Sequence, residues 1–364
     1  MNDPSALQEE LAPWRAQIDA LDDEIVQKLN QRAKIAQEIG KIKARLNAGQ
    51  SAYTAAREAQ VLNHVTQKNQ GPFKDENLRQ IYKEIMSATL ALERPNSVAF
   101  LGPWGTFTES AARYHFGHAA QFFPENSIES VFKLAETNQT DYAVVPIENS
   151  AEGSVARTLD LLMETPLKIV GEVILRISHN LFSNAQHLSD IHTIYAHAQA
   201  FAQCRIWLCE NLPNAKQIPV ESNASAVLKA QNEKNAAAIA GKTASNHYDV
   251  VILAKGIESS RQNSTRFFVL GKENVPPSQK DKTSLIMAAP NRTGALHEML
   301  LPFSACGISM THLESRPIAN ALWQYVFFVD VEGHQNDFSL AAALKELQRR
   351  AAYLKILGSY PAFI

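Results

Sequence analysis

The stretch Asn263-Ser264-Thr265-Arg266-Phe267-Phe268-Val269-Leu270 ends on four apolar residues suited to a buried strand, yet a hydroxyl and a guanidinium stand at its mouth. Taken alone it is a strand entry, with Thr265 capping a turn and Arg266 solvated. Its surroundings shift the balance. From 97 to 271 short apolar strands (98–101, 142–145, 169–175, 194–196, 250–254) alternate with helical stretches (106–116, 126–137, 198–210, 223–232). That alternation predicts an α/β unit with a mainly parallel sheet, whose ligands bind at the carboxyl ends of strands.

Upstream the composition changes. Residues 1–95 hold no strand-like run and only the glycines Gly40, Gly49 and Gly71. Leu7, Leu11, Trp14, Ile18, Leu21, Ile25 and Leu29 step by three and four, and Ile35, Ile39, Ile42 and Leu46 continue the stripe. This predicts one helix of about 40 residues, roughly 60 Å long. Such a helix is too long for its own small domain to cover, so it must pack on other helices, as in a second subunit. Shorter helices are expected near 54–69 and 75–93, split by Gln70-Gly71-Pro72. Downstream, a polar linker from Gly271 to Lys282 precedes a β-α-β-β-α-β pattern over 283–364, with strands at 284–288, 308–315, 323–331 and 352–357. That is a ferredoxin-like α+β module.

The 364 residues therefore divide into an all-α part (1–95), an α/β part (96–272) and the module at 283–364. Apolar content of 45%, charged content of 20% and net charge −2 describe a soluble globular chain with no nucleic-acid or membrane-surface role built on basicity. The acidic N-terminus is no signal peptide, and no run approaches the ~18 apolar residues of a membrane span. Cys204, Cys209 and Cys306 form no C-x-x-C pair, so neither a disulfide framework nor a metal site is expected. A reducing, cytoplasmic setting fits.

Arg32 and Lys43 are eleven residues apart, close to three helical turns, so they share a face beside the isoleucines. Cations bordering an apolar stripe ordinarily snorkel or pair with acids; the functional alternative is a pocket for a small polyanion. Arg15 lies about a hundred degrees around the helix from Arg32 and could join that pocket only from another chain. Arg57, Glu58, Thr89 and Glu93 add polar groups on the shorter helices.

The runs Arg15-A-Q-I-D-A-L-Asp22, Arg32-A-K-I-A-Q-E-I-G-K-I-Lys43, Tyr53-T-A-A-Arg57-Glu58 and Ser87-A-Thr89-L-A-L-Glu93 resemble the all-helical chorismate mutases. The resemblance implies an interlaced dimer with two shared sites. In it Arg15 of the second chain, Arg32 and Arg57 hold the two carboxylates of chorismate. Lys43 and Glu93 face the ether oxygen, Glu58 holds the ring hydroxyl, and Thr89 adds a polar group. This rearrangement needs no nucleophile and no proton transfer, only selection of the folded conformer and stabilisation of charge growing on the ether oxygen. Two positions depart from the family: Thr54 stands where Asp is frequent, and Glu93 where Gln is frequent, so Glu93 must be protonated to donate to that oxygen.

In the α/β part, Phe100-L-Gly102-P-W-Gly105-Thr106 follows the first strand but is not the G-x-G-x-x-G fingerprint, which removes a nicotinamide dehydrogenase. Val144-V-P-I-Glu148-Asn149-S, Tyr195-A-His197-A-Gln199-A-F-A-Gln203 and Glu221-Ser222-Asn223 each put polar side chains after a strand. One such cluster is ordinarily a cap or turn; four together favour one cleft. With the Thr265-Arg266-Phe267 run they resemble prephenate dehydratase over 97–271, which implies two lobes of the periplasmic-binding-protein type with the site between them. Thr265 would then be the essential hydroxyl and Glu148 a proton source. Asn149, Gln203, Thr106 and Arg266 would position prephenate, and Ser222 and Asn223 would form an anion-binding helix start. The family's serine before His197 is Ala196 here, so that contact is missing.

In the C-terminal module, Asn291-Arg292-Thr293-Gly294-Ala295-Leu296-His297 and Leu313-Glu314-Ser315-Arg316-Pro317 resemble the ACT domains that sense phenylalanine, against the plainer alternative of a ferredoxin-like packing domain. Gly294, Ala295, Leu296, Glu314, Ser315 and Arg316 would hold the amino acid. The order mutase, dehydratase, ACT is that of the bifunctional enzymes of phenylalanine synthesis. It implies chorismate and prephenate as substrates, phenylalanine as inhibitor, no cofactor, and at least a homodimer. The rivals are a non-catalytic sensor and a dehydratase preferring arogenate.

Overall fold

The computed structural model describes residues 4–46, 55–260, 262–317 and 325–363. Tyr53, Thr54 and Trp323 lie outside the described residues. The chain opens with helices α1 (Pro4–Leu46), α2 (Ala55–Lys68) and α3 (Asp75–Ala91). The long helix is present as the apolar periodicity requires. Its own domain does not cover the apolar stripe: Ile35 (63% exposed), Ile39 and Ile42 stay open, and so do Trp14 (64%), Ile18, Leu21 and Ile25. Arg32, Ala33, Ala36 and Gly40, spaced for one helical face, are the half-buried positions. Small residues let α3 approach there; a β-carbon on Gly40 would stand 2.4 Å from Cδ of Glu93.

Next come β1 (Ser97–Leu101), α4 (Phe107–Phe116), β2 (Gln121–Glu125), α5 (Ile128–Glu136), β3 (Tyr142–Asn149), β4 (Gly153–Ser154), α6 (Ala156–Glu164) and β5 (Lys168–Arg176). The chain then leaves this sheet for β6 (Asn180–Ser183), β7 (Thr193–Ala196), α7 (Ala198–Asn211), β8 (Lys216–Pro219), α8 (Asn223–Gln231), β9 (Ala236–Ala240) and β10 (Val251–Ala254), and returns as β11 (Ser264–Gly271). Two sheets result, in orders β2-β1-β3-β11-β5 (with β4 beside β3) and β10-β6-β9-β7-β8. Each carries its own apolar core.

The two lobes that the resemblance implied are present, but the expected mainly parallel pairing is not. There are two sheets, joined by two crossings, and β11 is antiparallel to both its neighbours β3 and β5. A strand that returns from the other lobe re-enters the sheet from the far end, so it must run against the strands it joins. The short strands β2, β6 and β8 and the alanine run Ala236–Ala240 had no readable pattern. Five fully buried residues, Ala-Ala-Ala-Ile-Ala, fill β9 because α8 lies close against it.

The last part is β12 (Asp281–Ala288), α9 (Ala295–Ala305), β13 (Met310–Pro317), β14 (Tyr325–Glu332), α10 (Phe338–Arg350) and β15 (Tyr353–Pro361). These make an antiparallel sheet in order β13-β14-β12-β15, covered by its two helices. The opposite face packs on the first α/β sheet: Ile286, Ala288, Val326, Phe328, Leu357 and Tyr360 share a core with Val145, Leu162, Ile169 and Phe268. No helix among the described residues is long and apolar enough to cross a membrane.

Candidate active sites

On β11 successive side chains take opposite faces, which separates the two residues that opened the problem. Thr265 lies opposite Asn149 of β3, and Arg266 opposite Glu148. Asn149 Nδ2 donates to Thr265 Oγ1 at 2.8 Å, while Asn149 Oδ1 accepts from the Ala151 N–H at 3.0 Å, which sets the orientation of the amide. A threonine that accepts from Asn149 keeps its own O–H to donate. Both residues are half-buried, at the end of their strands.

Arg266 points the other way. Its Nε donates to Glu172 at 2.8 Å, its Nη1 to Asp330 at 2.6 Å and its Nη2 to the Tyr360 hydroxyl at 3.1 Å. The guanidinium also stacks over Phe268 at 4.8 Å. Burial alone would lower its pKa, but Tyr360, Asp330 and Glu172 reverse the direction and hold the charge firmly in place. The Tyr360 phenol is pushed well above its usual range, first by burial and then by Asp330. The expected substrate contact of Arg266 is therefore corrected: the guanidinium is committed to the junction with the C-terminal sheet.

Glu148 shares that face. The His312 ring of β13 lies beside it, with Nδ1 3.8 Å from its carboxylate. The expected proton relay from Glu148 to Thr265 has no path across the sheet, because adjacent strand positions point apart.

Thr106 caps α4: its Oγ1 accepts from Glu109 N at 3.3 Å and donates to the Leu101 carbonyl at 3.1 Å. Its hydroxyl proton is thus spent locally. Across the cleft Gln203 Oε1 accepts from the buried His179 ring at 2.7 Å; burial lowers the pKa of His179, so the ring is a neutral donor and Gln203 keeps its amide N–H groups to offer. Ser222 caps α8, and Asn223 Oδ1 accepts from His197 N, which caps α7, at 3.0 Å. Two helix N-termini therefore open side by side beyond the parallel strands β7 and β8, an arrangement suited to an anion. His179 and Glu109 were not legible as site residues: a lone histidine and a first-turn glutamate look like ordinary core and cap.

In the helical part Arg32 Nη1 donates to Thr89 Oγ1 at 2.7 Å, and Glu93 lies over Gly40. Lys43 follows one turn after Gly40. Arg32, Thr89 and Glu93 thus lie where α1 crosses the end of α3. Arg57 is exposed beside Gln60. Glu58 is set apart; it lines a cavity of about 100 Å³ with Arg79, Lys83 and Lys280, between the helices and the dehydratase-like sheet. Arg15 sits about 26 Å along α1 from Arg32 and cannot reach the same pocket within one chain.

In the C-terminal sheet Gly294 takes left-handed backbone (φ +79°) at the start of α9 with open space around it, while Ala295 is buried. Leu296 packs partly buried against the module's core. Glu314 bonds to Ser154 of β4, and Arg316 Nη2 donates to Asp160 of α6 at 3.1 Å. On this alternating strand Ser315 is exposed between them. The expectation that Glu314 and Arg316 side chains reach an amino acid is corrected: both face the α/β part.

Comparison with known proteins assigns both regions to families. Residues 98–275 match the prephenate dehydratase family and residues 14–94 the chorismate mutase type II family. The bifunctional chorismate mutase/prephenate dehydratase of Neisseria gonorrhoeae is 46% identical over 361 residues, covering 98% of this chain and 99% of the relative. That of Pseudomonas aeruginosa is 43% identical, covering 97% and 98%. Among solved structures, the prephenate dehydratase of Arthrobacter aurescens in complex with L-Phe superposes with a TM-score of 0.67 at 34% identity, over 73% of this chain and 90% of that one. The chain belongs to the bifunctional chorismate mutase/prephenate dehydratase family.

Proposed function

We propose that Thr265 supplies the hydroxyl that the dehydratase reaction turns on, and that the hydrogen bond from Asn149 is the observation that carries this role. The enzyme converts chorismate to prephenate and prephenate to phenylpyruvate. In the second step the C–C bond to the ring carboxylate breaks, its electrons aromatise the ring, and the ring hydroxyl departs as water once protonated. With its acceptor side filled by Asn149, Thr265 directs its O–H at the departing oxygen. Gln203 and the paired starts of α7 and α8, with Ser222 and Asn223, hold the carboxylates. Glu148, on the far face, takes no part.

For the mutase we propose that Arg32 and the partner chain's arginine at position 15, with Arg57, bind the two carboxylates, while Lys43 and Glu93 face the ether oxygen. The open isoleucine and leucine stripe of α1 supports a homodimer in which a second long helix covers it. The test is complementation. Arg15→Ala and Arg32→Ala should each be inactive as mutases, and a refolded equal mixture should recover about a quarter of wild-type activity, because half the dimers are mixed and each has one intact site. No recovery on mixing would sink the shared site.

We further propose that the three regions 1–95, 96–272 and 283–364 carry the mutase, dehydratase and ACT-type regulatory roles, in a cytoplasmic enzyme. A dehydratase neighbour holds L-Phe, which supports phenylalanine as the ligand here, bound by N–H groups at Gly294, Ala295 and Leu296 and beside Ser315. Gly294→Val forces a branched residue into left-handed backbone at a cost of order 1–3 kcal/mol. Calorimetry should show phenylalanine affinity lost in this variant; unchanged affinity excludes the site.

A further inference from the structure

Outside the groups assigned above, the most constrained ionisable side chain of the dehydratase part is Glu109. It is fully buried (0% exposed), yet it meets three donors from three places. Oε2 accepts from the Gly105 N–H at 2.7 Å, the residue before Thr106 in the loop that follows β1. Oε1 accepts from Arg113 Nε one helical turn on, at 2.7 Å, and from His247 Nε2 in the other lobe, also at 2.7 Å. The contact is not isolated. His247 stacks on Trp104 at 5.1 Å, the Tyr248 hydroxyl donates to the Trp104 carbonyl at 3.1 Å, and Ser110 and Thr243 hydroxyls meet at 2.5 Å. Gly105 has φ +87°, and a β-carbon there would stand 3.1 Å from Ala244 Cα. The segment 243–248 of the second lobe therefore clamps the loop 102–106 of the first.

That loop and Asn149 leave neighbouring parallel strands, β1 and β3, at the same edge of the sheet, which is where the cleft opens. We infer that Glu109 is a positioning residue for the dehydratase. Through Gly105 it sets the loop that forms one wall of the cleft, and through His247 it fixes the distance between the two lobes across which Thr265 and Gln203 face prephenate. A reaction that depends on alignment is sensitive to such spacing: an error of about 1 Å can cost about a hundredfold in rate.

The inference rests on placing the dehydration in this cleft, which the Thr265 variant tests independently. Three variants of the full-length enzyme are compared: Glu109→Gln, His247→Phe and the double. His247→Phe keeps an aromatic ring against Trp104, removes only the bond to Glu109, and sits at a partly exposed position (23%), so it should fold. Mutase turnover on the same polypeptide is the internal control. Expected is an intact mutase, with the dehydratase kcat lowered about tenfold in His247→Phe at a nearly unchanged KM for prephenate, and lowered about tenfold or more in Glu109→Gln. Because both act through one carboxylate, the double should be no worse than Glu109→Gln alone. Wild-type dehydratase kcat and KM in His247→Phe, or losses that multiply in the double, would overturn the inference. If Glu109→Gln fails to fold, the KM-against-kcat split in His247→Phe still decides.

Discussion

Thr265→Ala should abolish dehydration of prephenate and leave the mutase untouched, so that the variant fed with chorismate accumulates prephenate. The structure gives the expectation its direction. Thr265 and Asn149 form a pair 2.8 Å apart, and among the described residues no other hydroxyl is bonded to that amide. Removing one preorganised donor aimed at developing charge costs about 10²–10³ in kcat. Where the donor also delivers the proton to a departing hydroxyl, the loss is at least that large. The effect should fall on kcat and not on KM, because prephenate's carboxylates are held by other groups. The proposed mutase site, on α1, α2 and α3, shares no residue with the cleft. Phenylpyruvate formed at the wild-type rate would return Thr265 to the role of a strand-entry residue. Thr265→Ser, which keeps the hydroxyl, should retain most of the activity and so separate the chemistry of the group from its packing.

Arg266→Met is expected to have the largest effect on stability, although it adjoins the catalytic candidate. The substitution removes a cation that bridges Glu172 and Asp330, whose side chains are 0% and 6% exposed, and leaves the Tyr360 hydroxyl with one partner fewer. Breaking a buried pair by deleting one partner costs about 3–5 kcal/mol, because the remaining carboxylate charge is uncompensated. Glu172 keeps Lys282 at 2.8 Å and the Phe363 N–H at 3.0 Å, which places the expectation near the lower end. Among the described residues Asp330 keeps the Ser284 hydroxyl as its side-chain donor, at 2.5 Å, so most of the cost arises there. For a unit of this size about 3 kcal/mol lowers Tm by roughly 6–12 °C. Scanning calorimetry and urea unfolding measure this directly. The companion Asp330→Asn should recover part of the loss by removing the stranded charge. A Tm within a degree of wild type would show that the junction is not held by this ion cluster.

These two predictions also show where reading along the chain stops. The sequence placed Thr265 and Arg266 side by side, and their place in one run that resembles prephenate dehydratase invited a shared role. A strand turns neighbours to opposite faces, so the pair splits between a cleft and an interior junction. The same alternation separates Asn149 from Glu148, and Ser315 from Glu314 and Arg316. Alternation is readable in a sequence, but which face is the cleft and which the junction depends on what packs on each. Here that is the sheet β13-β14-β12-β15, which begins about ten residues after β11 ends.

What the sequence determined by itself rests on local periodicity and on side-chain chemistry. The long helix follows from apolar residues at steps of three and four, and the β-α-β-β-α-β order of the last part from alternating runs and turn residues. The pocket of arginines and a lysine for a polyanion follows from residue type and spacing, whereas the roles of Thr265 with Asn149 and of Gly294 came from resemblance to known families. The tertiary structure decided what depends on contacts distant in sequence. It showed β11 returning antiparallel between β3 and β5, more than a hundred residues after β3. It turned Ala33, Ala36 and Gly40 of α1 toward α3 and left the isoleucines open. It joined Glu109 to His247 across 138 positions of sequence. Such pairings are set by the burial of whole sheets against one another, a sum over many side chains of which no short stretch carries more than a small part.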